Sequence, residues 1–166
     1  MQYDWHVVLR LDWVLLAYRL PREPSTPRIT AWRKLRRLGV AQLVDGLVAL
    51  PADARTKEQL EWIAEEILDA GGEATVWIGR PGSAADERRL ATRMAAVVAE
   101  EYRALVAEAA GAECEASPSQ RRILARLERE VRRIGRRDFF PPPERDEARA
   151  AVRRLAASAA TEEVRS

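Results

Sequence analysis

Two groups of cations are the residues of this chain whose types and spacing have a chemistry of their own. Arg33, Lys34, Arg36 and Arg37 stand close together with Arg19, Arg22 and Arg28 upstream, so the stretch from Arg19 to Arg37 sets seven cations against the single acid Glu23. A second stretch, Arg121 to Arg137, sets eight against Glu128 and Glu130, and Arg122, Arg126, Arg129 and Arg133 recur there at helical spacing. Clusters of this kind do one of two kinds of work. They track a phosphate backbone, each neutralised phosphate releasing a condensed counterion. Alternatively they converge on a tetrahedral oxyanion, whose oxygens match the guanidinium fork as phosphate oxygens do. A merely solvated helix face is the alternative to both. It has weight here because the chain holds 26 Arg and two Lys beside abundant Ala, a usage bias that by itself says little about nucleic acid.

Other chemistry is thinly represented. His6 is the one histidine, and Cys114 is the one cysteine, which excludes an internal disulfide and any cysteine-clustered metal site. Glu113 and Glu115 flank that thiol and disfavour its thiolate. The carboxylates sit at spacings that solubility explains, and neither a Gly-rich phosphate loop nor a Ser/His/Asp set is present. The sequence is therefore read as that of a non-enzyme, with no catalytic residue, metal or cofactor expected. No apolar run reaches the roughly 18 residues a bilayer span needs, and the first residues carry an acid and no basic region. A cytoplasmic protein without a membrane partner is the expectation. A length of 166 residues suffices for one compact domain and an appendage.

The elements that must position the cations follow from periodicity. Residues 13 to 20, WVLLAYRL, have the length of a buried strand closed by Pro21, and residues 3 to 11 are a candidate extra edge. Thr26 before Pro27 is a helix start, and Gly39 is its stop. Between them, at about 100° per residue, Ile29, Trp32, Leu35 and Leu38 share the face to be buried, and the four clustered cations share the other. Asp45-Gly46 predicts a hairpin joining 41–44 to 47–50. Thr56 to Gln59 reads as a capping box opening a helix with Leu60, Ile63, Ala64, Ile67 and Leu68 inside, and Gly71-Gly72 ends it. Trp62 falls instead among Glu58, Glu65, Glu66 and Asp69, so it either packs under another segment or is an interface residue. Residues 73 to 78 are a further strand.

This order, βαββαβ, predicts an α+β fold whose first domain, residues 1 to 82, is ferredoxin-like. Two helices would lie on one face of a four-stranded antiparallel sheet, burying Trp32 and Ile63. Its open edges invite pairing with a second copy, so a homodimer is expected. Residues 83 to 166 form a helical extension. Ser83 caps a helix to about Ala110, roughly 40 Å long at 1.5 Å per residue, too long for a small sheet to cover alone. Ser117 and Pro118 open a basic helix with Leu124, Leu127, Val131 and Ile134 as a narrow seam. Its arginines either meet DNA or pair with the acids near Glu58, Glu65 and Asp69. After Pro141 to Pro143 a short terminal helix runs from Glu144 to about Ala157.

Across residues 10 to 80, the motifs YRLP, WRKLRRLG, DG and LP, and the helix that ends in GGEATVW, give the chain a family likeness. It resembles the N-terminal domain of ChrB-type chromate-resistance proteins, and RRDFFPPPERDEA is compatible with that. More distantly it resembles the central domain of PaaX-type transcriptional regulators and the ferredoxin-like CRISPR-associated small nucleases. The resemblance implies a regulator of a chromate efflux operon, with DNA and chromate or another oxyanion as candidate partners of the arginine clusters. Family members carry a further C-terminal domain, whereas this sequence ends at Ser166, so a sensing role of that domain is not carried over. The nuclease relatives place a metal-binding aspartate at the end of the first strand, where this chain has Ala17, Tyr18, Arg19 and Leu20. A cation at that place argues against nuclease chemistry.

Overall fold

The structure is a computed structural model that describes residues 11–113 and 117–165. All but Leu11 of the candidate edge at residues 3 to 11 lies outside them, as do His6 and Cys114. The chain divides into two compact units, Met1–Met94 and Ala95–Ser166, with the division inside one long helix.

The first unit contains β1 (Trp13–Arg19), α1 (Thr26–Leu38), β2 (Ala41–Val44), β3 (Leu47–Pro51), α2 (Ala54–Asp69), β4 (Glu73–Gly79) and the start of α3 (Ala84–Ala112). The strands form one sheet in the order β2-β3-β1-β4, and every neighbouring pair is antiparallel. Alternation along β1 sets the two faces. Val14 and Leu16 stand opposite Leu50 and Val48, and all four are fully buried, on the face where α2 brings in Leu60, Ile63 and Ile67. The odd positions of β1 lie on the other face, where Leu15 stands between Ala49 and Trp77.

The predicted hairpin forms at Asp45-Gly46. Gly46 has φ of 76°, and its carbonyl accepts from the Tyr18 amide at 2.7 Å. A Cβ there would stand 2.5 Å from the Tyr18 carbonyl oxygen, so both the backbone angle and the space require glycine.

In the first unit, two helix starts and one helix face differ from the sequence reading. Helix α1 begins at Thr26 with Ser25 as its N-cap, one residue before the expected cap. Helix α2 begins at Ala54, two residues before Thr56, and its capping box is made by the N-cap Asp53 and Thr56. Asp53 Oδ1 accepts from the Thr56 amide at 2.7 Å, and Thr56 Oγ1 accepts from the Asp53 amide at 2.9 Å while donating to the Pro51 carbonyl at 2.7 Å. The turn after Pro51 exposes a better acceptor, a carboxylate, before the threonine is reached. Replacing Asp53 by alanine should therefore cost about 1 kcal/mol of stability, read as a lower urea midpoint at unchanged m-value.

In α1 the buried residues are Ala31 and Leu35, whereas Ile29 is 46% exposed and Trp32 only half-buried. The expected burial of Trp32 is thus incomplete. The inward face is centred on Ala31 and Leu35, one turn apart, and a projection weighted by hydrophobicity overlooks the alanine. Ile63 is buried as expected. Trp62 is 58% exposed, so it is not packed under another segment.

The second unit consists of α3 from Ala95, α4 (Ser117–Gly135) and α5 (Glu144–Arg165). Its core joins Tyr102, Leu105 and Ala109 of α3 to Leu127 and Ile134 of α4 and Val152 and Leu155 of α5. The long helix is thus covered over its second half by the two helices that follow. Helix α5 runs well beyond the short segment expected, since Ala148, Ala151, Val152, Leu155 and Ala159 are all buried along it. No helix among the described residues is long and apolar enough to cross a membrane.

Candidate functional site

The cations of α1 are brought to the surface by its two buried residues. With Ala31 and Leu35 inward, Arg28, Arg33, Arg36 and Arg37 are exposed, as is Arg22 in the segment before the helix. None of these five has an ion-pair partner among the described residues. Two other candidates are engaged. Lys34 Nζ lies 2.6 Å from both carboxylate oxygens of Glu66 and joins α1 to α2, while Arg19 meets Glu73 at 2.9 Å across β1 and β4. Arg36 and Arg37 occupy the last turn of α1, where the carbonyl end of the helix favours positive charge by about 0.3–1 kcal/mol each. This contribution to the helix coexists with availability to an external anion, because the guanidinium donors remain in water.

The second cluster is organised differently. On α4, Arg126 pairs with Glu108, Arg133 meets Glu130 at 2.6 Å and lies 3.9 Å from Glu101, and Arg122 donates to Ser119 Oγ at 3.3 Å. The carboxylates that meet Arg126 and Arg133 are those of Glu108 and Glu101 on α3 and Glu130 on α4. Arg129 has no ion-pair partner among the described residues. Arg122, Arg126 and Arg129 nevertheless share a surface depression of about 640 Å³ beside Ile123.

Sequence reasoning missed a polar cluster that ties the loop 136–143 to α3. The Tyr102 hydroxyl donates to Asp138 Oδ2 at 3.0 Å, Arg103 donates to the buried Glu144 at 2.5 Å, and Arg137 pairs with Glu101. Burial and the neighbouring Asp138 carboxylate push the Tyr102 phenol far above its ordinary range, so it remains a donor at neutral pH. Burial also pushes the Asp138 carboxyl up, against the pull of Tyr102, Arg145 and Arg149. Because the folded value is the raised one, this group's contribution to stability is complete below the ordinary aspartate range. It is lost as pH rises through the folded value. Asp138→Asn should flatten that part of the stability profile above about pH 4. Tyr102→Phe should move the loss to higher pH and cost about 1–3 kcal/mol, followed by urea titration across pH. The signal available in sequence was the acid in RRDFF, but its partner lies 36 residues away.

The open face of the sheet was also missed. Glu87 at the start of α3 is buried and accepts from the Leu11 amide at 2.8 Å and from Trp13 Nε1 at 3.3 Å, which anchors α3 at the Trp13 end of that face. A cavity of about 680 Å³ lies there, with Leu15, Leu43, Leu47 and Ala49 among its lining residues and Arg80, Arg89 and Arg93 as its cations.

Fold and site together define an α+β protein with a four-stranded antiparallel sheet, a helical C-terminal part and an arginine-faced helix. The family described as Protein ChrB, N-terminal, matches residues 28–118, from within α1 to the first turn of α4, and the chain belongs to that family. Protein ChrB of Cupriavidus metallidurans is 30% identical over 133 residues, which is 78% of this chain and 40% of that protein. The chain thus spans well under half the length of the curated relative it matches. No solved structure gives a significant match.

Proposed function

We propose that this chain is a regulatory module of chromate resistance that contacts nucleic acid through arginine-rich helix faces, foremost Arg33, Arg36 and Arg37 of α1. The observation that carries the reading is the contrast between these exposed cations, which have no ion-pair partner among the described residues, and the paired Lys34 and Arg126. A cation already held by a carboxylate contributes little to a polyanion, whereas an unpaired one releases a phosphate counterion. Membership of the ChrB family supplies the chromate-resistance context. We read the chain as a cytoplasmic binding module and not as an enzyme.

The element order β-α-β-β-α-β and the strand order β2-β3-β1-β4 support a ferredoxin-like assignment for the first unit, in which α2 packs on β1 and β4 and α1 packs on α2. The outer strands β2 and β4 are the edges through which a second copy would add, giving a homodimer.

The test is anisotropy of a labelled DNA duplex. The full chain should bind at about 50 mM salt and lose most of its affinity by about 200 mM. The rival, an oxyanion-sensing or protein-interaction module, predicts no duplex binding at the lower salt. For oxyanion sensing it adds a thermal shift with chromate or sulfate that Arg33→Glu and Arg36→Glu abolish.

A further inference from the structure

The cavity on the open face of the sheet uses none of the cations of α1, and its lining is mixed in a particular way. Its floor is aliphatic, from Leu15, Leu47 and Ala49 of the two central strands. Trp77, opposite Leu15 on the edge strand β4, is 61% exposed, so one broad ring is left in water on a sheet that holds it rigidly. A tryptophan in that position offers a flat stacking surface at low entropic cost. The volume of about 680 Å³ lies within the range of small-molecule sites.

Charge decides what kind of molecule fits. Arg80 Nε pairs with Asp12 at 2.6 Å, and Arg89 pairs with Asp86, so these two rim cations are answered one for one. Glu87 adds a negative charge beside Arg80, and it is held by two uncharged N–H donors. Arg93 differs. Its one hydrogen bond among the described residues is donated to the Gln42 carbonyl at 2.7 Å, which fixes the guanidinium beside β2 without neutralising it. The rim therefore has one positive group to offer and acids enough to repel a polyanion. A nucleic-acid strand is disfavoured there, and so is a multiply charged inorganic anion, which would leave the apolar floor uncovered.

We propose that the open face of the sheet binds a small organic monoanion with a planar apolar body, of the aromatic carboxylate class. Its ring stacks on Trp77 above Leu15 and Ala49, and its carboxylate meets Arg93. The site stands independently of nucleic-acid contact by α1, so either can fail without the other.

The probes are 2-naphthoate, its neutral counterpart 2-naphthalenemethanol, inorganic phosphate and a single-stranded oligothymidylate, each titrated calorimetrically into the full chain. Arg93→Gln and Trp77→Ala alter exposed side chains and should leave the fold intact, checked by circular dichroism. The expected result is that 2-naphthoate binds more tightly than 2-naphthalenemethanol, and that any binding of phosphate or of the oligonucleotide is unchanged by Arg93→Gln and by Trp77→Ala. Arg93→Gln should weaken 2-naphthoate by about tenfold or more while leaving 2-naphthalenemethanol unchanged. Trp77→Ala should weaken both aromatic probes by about two- to tenfold. Failure of 2-naphthoate to bind at millimolar concentration overturns the proposal, as does binding indifferent to both substitutions. Binding of phosphate or of the oligonucleotide that Arg93→Gln or Trp77→Ala weakens more than it weakens 2-naphthoate would assign this face to a different ligand and overturn the proposal equally.

Discussion

Leu35→Ala should destabilise the chain by about 2–5 kcal/mol, whereas Ile29→Ala, two turns earlier on the face that hydropathy alone marks as internal, should cost less than about 1 kcal/mol. Leu35 is fully buried, while Ile29 is 46% exposed. Removing the Leu35 side chain forfeits its transfer free energy and leaves a cavity that a helix held by Ala31 cannot collapse into. A loss of this size is a large fraction of the roughly 5–15 kcal/mol that stabilises an ordinary domain, so urea denaturation resolves the two variants easily. The consequence reaches the cationic face, because Leu35 stands between Lys34 and Arg36 and fixes the rotation of α1. Equal losses for the two variants would mean that the helix is seated on the Ile29 and Trp32 stripe after all.

Neutralising Arg33, Arg36 and Arg37 together to glutamine should lower duplex DNA affinity by a few hundredfold at about 0.1 M salt, if each contributes one phosphate contact. The matched triple on α4, Arg122, Arg126 and Arg133 to glutamine, should do much less. Two of those three are already held by Glu108, Glu130 and Glu101, and breaking those pairs leaves the carboxylates more repulsive to phosphate only in part. Comparison of the two triples by anisotropy separates a specific basic face from a general effect of net charge, since each removes the same three charges. Exposed surface pairs contribute little to stability, so both variants should remain folded.

The sheet was legible in the sequence because its signals are local. The Asp45-Gly46 turn, the stop at Gly71-Gly72 and the alternating apolar strands each act within a few residues, and together they order the elements of the first unit. What the sequence obscured was nonlocal or rested on small residues. Helix α1 turns on Ala31, which hydropathy weighs lightly, and the cap of α2 moves to Asp53 because a carboxylate after Pro51 outcompetes the Thr56 hydroxyl as an N-terminal acceptor.

For the site, Arg19 and the cations of α1 were identifiable by spacing, but the pairing of Lys34 and of Arg19 depends on Glu66 and Glu73, more than thirty residues away. The cavity on the open face could not be read at all. Leu15, Leu47 and Trp77 acquire a common surface only through the pairing of β1 with β3 and β4, and Arg93 joins them from a helix whose pattern reads simply as amphipathic.

The central claim, that α1 presents its arginines to a phosphate backbone, is tested most directly by the salt dependence of duplex DNA affinity for the unmodified chain and the Arg33, Arg36, Arg37 triple variant. The logarithm of the association constant should fall linearly with the logarithm of salt concentration, and the variant's slope should be shallower by about 2.7, or 0.9 for each phosphate contact removed. Equal slopes for the two proteins, or no binding by the unmodified chain at low salt, would contradict it.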